Sequence, residues 1–343
     1  MKRYSPAEIK TIRVHLHSLL PREAFQADPT KLIPMFLHLV IVLACFAGIG
    51  RTPSPWLRML LAIAAGHSLA VFSFYAHSLS HNVIVRRGRL RTAIEFVSWV
   101  VTATPPTLWR KIHNLVHHRN TNTMKDAIRY YTEGERTWQR TVYSMLFIPS
   151  KYNWFNPLIF LTPMVLHVLH GNAAVTAPHR EKRTFITNLG NYSVRERVWI
   201  VIESVVIVAW QVVVFYLSGG SWSTYLWAGL VTTIAGTMIA GTYVYSQHSL
   251  HPMSSHDDPF ACTTLKLPRF IDRLHVYLGH HTAHHLFEGL RDDYLPRVTQ
   301  LLREHYPEAL DERGPIECWS AIFRNPMYKR DPAPVAPIEI EPA

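Results

Sequence analysis

Cysteine is scarce in this chain: Cys45, Cys262 and Cys318 are its whole supply, odd in number and far apart. They build neither a disulfide framework nor a four-cysteine iron–sulfur cluster, and they suit a reducing compartment. Charge is thin as well, at 17% of residues, with 24 acidic groups against 35 basic ones and a formal net charge of +11. The basic residues form no continuous patch but flank hydrophobic runs, which speaks for membrane-adjacent loops and against a nucleic-acid partner. No HExxH motif occurs, which argues against a zinc protease. The Glu-x-x-His pairs of soluble carboxylate di-iron bundles are missing too. Met1–Pro34 has no short apolar core followed by a small-residue cleavage site, so the first hydrophobic run is expected to act as its own insertion signal.

What the chain does have is apolar residues in blocks, 48% of its 343 positions. Residues 32–50 and 56–76, separated by RTPSP, read as a tight transmembrane hairpin, because each run approaches the ~20 residues a bilayer core requires. Two further runs, 198–217 and 225–246, read as a second hairpin closed by SGGSWST. The fold class expected is therefore an all-α integral membrane protein with four transmembrane helices, interfacial helices and a cytoplasmic cap. Lys2, Arg3, Lys10, Arg13, Arg22 and Lys31 precede the first hairpin, and Arg86, Arg87, Arg89, Arg91, Arg110 and Lys111 follow it, which places both its ends in the cytoplasm.

Between the hairpins, Thr92–Trp109 ends in the helix-breaking TATPP and reads as re-entrant or interfacial. Phe155–Val175 is interrupted by Pro157 and Pro163 and is assigned to the interface. A fifth crossing there would put the histidine clusters on opposite faces. Residues 120–151, with Tyr130, Tyr131, Trp138 and Tyr143, suit a cytoplasmic loop and surface helix. Residues 1–31 form an N-terminal amphipathic cytoplasmic segment, with Ser5-Pro6-Ala7-Glu8 as a helix start, lying on the membrane surface or, alternatively, packed as a soluble surface helix. Residues 32–330 make up the catalytic domain, with a helix expected over Asp293–His305, and 331–343 a disordered, proline-rich tail.

The histidines are not scattered. HSLSH at 77–81, HNLVHH at 113–118 and HTAHH at 281–285 are three tight clusters, and QHSLH at 247–251 adds a looser pair, His248 and His251. His77/His81, His113/His117 and His281/His285 are four apart, a spacing that puts both imidazoles on one helix face, ~5–6 Å between Cβ atoms, where they can share a metal. His284 is expected to join the face of His281, and His118 to lean toward a second metal. A zinc site uses only three or four protein ligands, so this many histidines point to two metals, and a di-iron pair built for dioxygen chemistry on something apolar fits best. At least one of His248 and His251 is expected to point into the centre. His280 is expected to be a neighbour, and His67, mid-span, a packed or hydrogen-bonded core histidine.

These clusters, with spans in the intervals between them, resemble the membrane-bound fatty acid desaturase and hydroxylase superfamily, marked by HxxxH, HxxxHH and (H/Q)xxHH boxes. HHRNTNTMKD at 117–126 and HHLFEGL at 284–290 are similar to that family's flanking sequence. The resemblance covers about Leu32–Val298. It implies iron ligation by His77, His81, His113, His117, His118, His281, His284 and His285, with a further ligand from His248 or His251. It also implies two Fe ions, O2 as co-substrate, and an acyl-lipid, acyl-thioester or free fatty acid as substrate. With no fused haem or iron–sulfur domain here, the electrons would come from a separate ferredoxin, rubredoxin or cytochrome b5 type donor. The expected location is a bacterial inner membrane or the endoplasmic reticulum, with the clusters on the cytoplasmic side. Desaturation of an acyl chain is the leading reading. Hydroxylation, acetylenation or oxidative decarboxylation by the same centre is the alternative. A non-catalytic metal-binding protein is disfavoured, because the spans hold almost no ionisable groups beyond His67 and Glu203.

Overall fold

The computed structural model describes residues 4–123, 156–176, 192–251 and 254–324, with isolated positions between 126 and 149. The aromatic-rich loop expected over 120–151 and the tail at 331–343 lie largely or wholly outside the described residues. Helix α1, Pro6–Ser18, starts as its sequence dictates: Ser5 Oγ accepts from the Glu8 backbone N–H and the Glu8 carboxylate accepts from that of Ser5, a reciprocal cap. Its apolar face is taken by the protein itself. Ile9, Ile12 and Leu16 are buried in one cluster with Leu286, Phe287, Val298 and Leu302, so the packed alternative describes this segment and the bilayer-surface reading does not.

Four helices among the described residues are long and apolar enough to cross a membrane, and the protein is an integral membrane protein. They are α2 (Leu32–Arg51, extended by a tight turn from Pro29), α3 (Pro55–Ser80), α7 (Val194–Leu217) and α8 (Trp222–His248, with a wide π-helical turn at Leu226–Val231). Leu37, Val40, Leu60, Ile63, Val205 and Val212 are exposed on these helices, as side chains facing lipid should be. The remaining helices among the described residues of this region are too short to span. Helix α4 (Arg89–Val101) has 13 residues and α6 (Thr162–Thr176) has 15, so neither reaches the ~30 Å of a hydrocarbon core at ~1.5 Å per residue. Between them, helix α5 (Pro106–Trp109) runs without a break into a π-helical stretch, Arg110–Val116, and a tight turn, His117–Arg119. Helix α7 begins earlier than hydropathy suggests, because Ser193 and Glu196 form a second reciprocal cap.

The alternating direction of the four spans brings the C-termini of α3 and α8 to one end of the bundle, together with the N-termini of α2 and α7. A close approach of α3 to α8 fixes that pairing. A Cβ on Gly66 would lie 2.6 Å from Ala235 Cβ and 2.7 Å from the Thr232 carbonyl oxygen, so only a bare backbone fits. Beyond α8 the chain builds a cap from α9 (Arg269–Leu274), α10 (His281–Leu286), α11 (Leu295–His305) and α12 (Pro315–Arg324). A two-stranded parallel pair, β1 (Thr263–Leu265) and β2 (Asp311–Arg313), ties its two halves together.

Candidate metal centre

The three histidine clusters and His248 meet at that end of the bundle, and they sort into two groups. His77, His81, His113, His118 and His284 form one; His117, His248, His281 and His285 form the other. Within each group, ring nitrogens lie within 4.8 Å of one another, one from each residue, close enough to hold a metal ion. The sorting departs from simple four-residue spacing, for local reasons. The π-helical stretch Arg110–Val116 widens the turn, so His113 shares its group with His118, their Nε2 atoms 3.1 Å apart, and His117 turns to the other. His281 and His285 do share a group, with Nε2 atoms 3.0 Å apart, but His284 points away from them, 3.2 Å from His118 Nε2.

His248 enters the second group with its Nε2 2.7 Å from that of His281. His251 enters neither group, so it is His248 that meets the expectation that one of the two points into the centre. His251 lies past the end of α8, where its Nε2 sits 2.9 Å from Thr263 Oγ1 and 3.2 Å from an Asp311 oxygen, holding the strand pair. His280 is the neighbour expected, bound to Thr299 and Asp272. His67 lies apart, 3.2 Å from His275 Nε2, and His275 in turn sits 2.7 Å from the Tyr243 hydroxyl.

The chemistry of the donor set suits a cation. Burial, and then their mutual repulsion if protonated, hold His113, His118, His281, His284 and His285 well below the usual imidazole pKa, so they are neutral and offer lone pairs. His81 Nε2 is buried and has no hydrogen-bond partner among the described residues, the state of a nitrogen waiting for a metal. Neutral imidazole suits iron, zinc and copper alike.

Around the nitrogens stand residues that the histidine spacing did not announce. Asp126 accepts from His117 Nδ1 at 2.8 Å and from the backbone N–H groups of Asn122 and Ile128, fixing that ring so that its other nitrogen faces the group. Burial raises its carboxyl, but the His117 interaction and these hydrogen bonds outweigh it and hold Asp126 below the ordinary carboxylate range. Thr121 Oγ1 lies 3.2 Å from His285 Nδ1, and Glu288 reaches His81 and His118 at 3.5 and 3.8 Å. Thr121, Asp126 and Glu288 fall inside the flanking stretches 117–126 and 284–290, which is the signal that could have found them. Trp109 stacks on His113 at 4.5 Å and 15°, and Trp99 on Trp109 at 4.1 Å. Box three is set by a strained turn: Val276 and Tyr277 take left-handed φ values of 58° and 57°, which cost ~1–3 kcal/mol each and are held by bonds to the Arg273 and Asp272 carbonyls.

Asp126→Asn keeps the shape but cannot give His117 a carboxylate partner. Iron affinity measured by chelator competition should fall ~10–100-fold, with helicity unchanged.

From the histidines a mostly apolar cavity extends into the bundle. His77, His113 and His281 line one end, and Phe46, Val214 and Gly229 line the other. Gly229 and His248 both face it on α8, so it runs ~28 Å along that helix at ~1.5 Å per residue.

Comparison with curated proteins finds no match for this chain. The sequence pattern of the fatty acid desaturase family matches residues 54–315, which is most of the chain and every residue of both histidine groups. An apolar cavity ending on two histidine groups at the mouth of a four-span bundle is the architecture such a pattern should describe, and the chain belongs to the fatty acid desaturase family.

Proposed function

We propose that this membrane oxidoreductase desaturates an acyl chain, with O2 as co-substrate and two iron ions as its metal. One iron would be held by His77, His81, His113, His118 and His284, and the other by His117, His248, His281 and His285. When bound, the pair supplies the capacity to reduce dioxygen with two external electrons and to remove hydrogen from an unactivated C–H bond. The balance is one saturated chain, one O2, two electrons and two protons giving one alkene and two waters. The electrons would come from a ferredoxin, rubredoxin or cytochrome b5 type donor, and the three cysteines of this sequence cannot make an iron–sulfur cluster of their own. The histidines face the cytoplasm, in keeping with the basic residues that flank the spans at that end.

The observation that carries this reading is the cavity. Its lining is mostly apolar and lies inside the bundle, so it fits an extended alkyl chain and offers little to a polar substrate. Trp109, stacked on His113, forms the wall where chain and histidines meet, and Thr104 and Gln247 are among the polar residues of the lining. Gln247 donates to the Leu278 carbonyl at 2.8 Å, joining the end of α8 to the loop before box three. These residues bind and orient the chain and keep bulk water from the donors.

The test is incubation of iron-loaded protein with reductant, a donor protein and saturated acyl substrates presented as thioester, glycerolipid and free acid. Mass spectrometry should find a product two mass units lighter with one double bond. A product that is only oxygenated would replace desaturation with hydroxylation, and a chain shortened to a terminal alkene would replace it with decarboxylation.

A further inference from the structure

An acidic side chain buried in a membrane span is costly unless paired, and its presence there asks for a role. Glu203 is such a residue, 2% exposed in the middle of α7. Its two oxygens are both used on one residue: Oε2 accepts from the Thr107 backbone N–H at 2.9 Å and Oε1 from the Thr107 hydroxyl at 2.6 Å. Thr107 is the second residue of α5, whose preceding residue, Pro105, makes no side-chain cap. The first turn of a helix leaves N–H groups unsatisfied, and a negative charge there also opposes the helix dipole favourably. Glu203 thus supplies from another span the cap that the TPP sequence cannot supply for itself.

What that helix carries gives the cap its meaning. From Pro106 the helical rod runs on to Arg119, bearing Trp109, His113, His117 and His118, so both histidine groups draw on it. A second tie between the same two elements, Lys111 Nζ to a Glu196 oxygen at 3.1 Å, lies nearer the surface. The outer tie is screened by water, whereas the Glu203 pair is not. The π-helical stretch between Thr107 and His117 has weaker intrinsic geometry than an α-helix, so its position must be imposed from outside.

We infer that Glu203 is a positioning residue for the metal centre, pinning the start of the rod that delivers His113, His117 and His118. This rests on the reading of those histidines as iron ligands. The pin acts through Thr107 and touches neither metal nor substrate.

The test uses full-length protein in nanodiscs, comparing Glu203→Gln, Glu203→Ala and Thr107→Val, with His113→Ala as reference. Iron affinity, kcat and KM are measured beside helicity and thermal midpoint. Glu203→Ala should weaken iron binding and kcat ~10–100-fold, on the scale of losing an outer partner of a ligand, with KM little changed. Glu203→Gln, whose single carbonyl oxygen can still accept one of the two bonds, should recover part of the loss. Thr107→Val, which removes only the hydroxyl bond, covers the case in which Glu203→Ala does not fold, and it should move in the same direction by less. A lower midpoint with unchanged iron affinity and kcat in Glu203→Ala and Thr107→Val would overturn the inference, leaving Glu203 a purely structural cap. Should His113→Ala itself leave iron binding intact, the ligand reading fails instead.

Discussion

Replacing His281 with alanine should abolish turnover and remove one of the two proposed irons. The reason lies in how the nitrogens are divided. His281 belongs to the group of four, so its loss leaves His117, His248 and His285, and it also removes the ring that packs between the last two. His284→Ala is the informative contrast. It belongs to the group of five, and four imidazoles remain. That protein should keep both irons, more weakly, while turnover still fails, since the donor set that would hold one of them is incomplete. Both losses of activity should exceed the ~10–100-fold expected of an outer partner such as Asp126. Iron per chain by mass spectrometry separates the two cases; equal iron loss in both variants would contradict the five-and-four division.

The second large effect comes from the cavity and leaves the metal alone. Ala240 lines it on α8, two turns before His248 and therefore ~12 Å away at ~1.5 Å per residue. Ala240→Phe puts a ring across the path of an extended chain. Overpacking at ~1–3 kcal/mol is tolerable for a bundle of this size, and no histidine is touched. Turnover of long acyl substrates should fall ~100-fold or more, the loss expected when a substrate is displaced from its reacting position, while iron content stays at the wild-type value. Short chains that end before Ala240 should be spared. Equal turnover of long chains by Ala240→Phe and wild type would show that the substrate takes another route.

Much of this was legible in the residues. Apolar run length marked the four spans, because a bilayer imposes a length that few other constraints reproduce. The requirement that the clusters share one face fixed the crossings at four, and four spans and the meeting of the clusters are what the described residues have. Which ring belongs to which group was not legible, because it depends on a π-helical stretch that shifts His113 and His117 apart, and nothing in RKIHNLV announces that winding. His251 had the same standing as His248 in sequence; only the end of α8 and the pull of Asp311 separate them. The amphipathic α1 was compatible with bilayer or protein, since an apolar stripe does not say what covers it, and the cap covers it. The flanking stretch 117–126 and the charge in the third span marked Asp126 and Glu203 as unusual, but what they and Thr107 do was not legible, for another reason. Their roles lie in contacts across 9 and 96 positions of chain, which spacing within a motif does not reveal.

The central claim is that two irons sit in this protein, one in each histidine group. Anomalous scattering at the iron edge from crystals of iron-loaded protein tests it directly. Two peaks are expected, one enclosed by His77, His81, His113, His118 and His284 and the other by His117, His248, His281 and His285. A single peak, or a second peak elsewhere, such as beside His67 and His275, would contradict it.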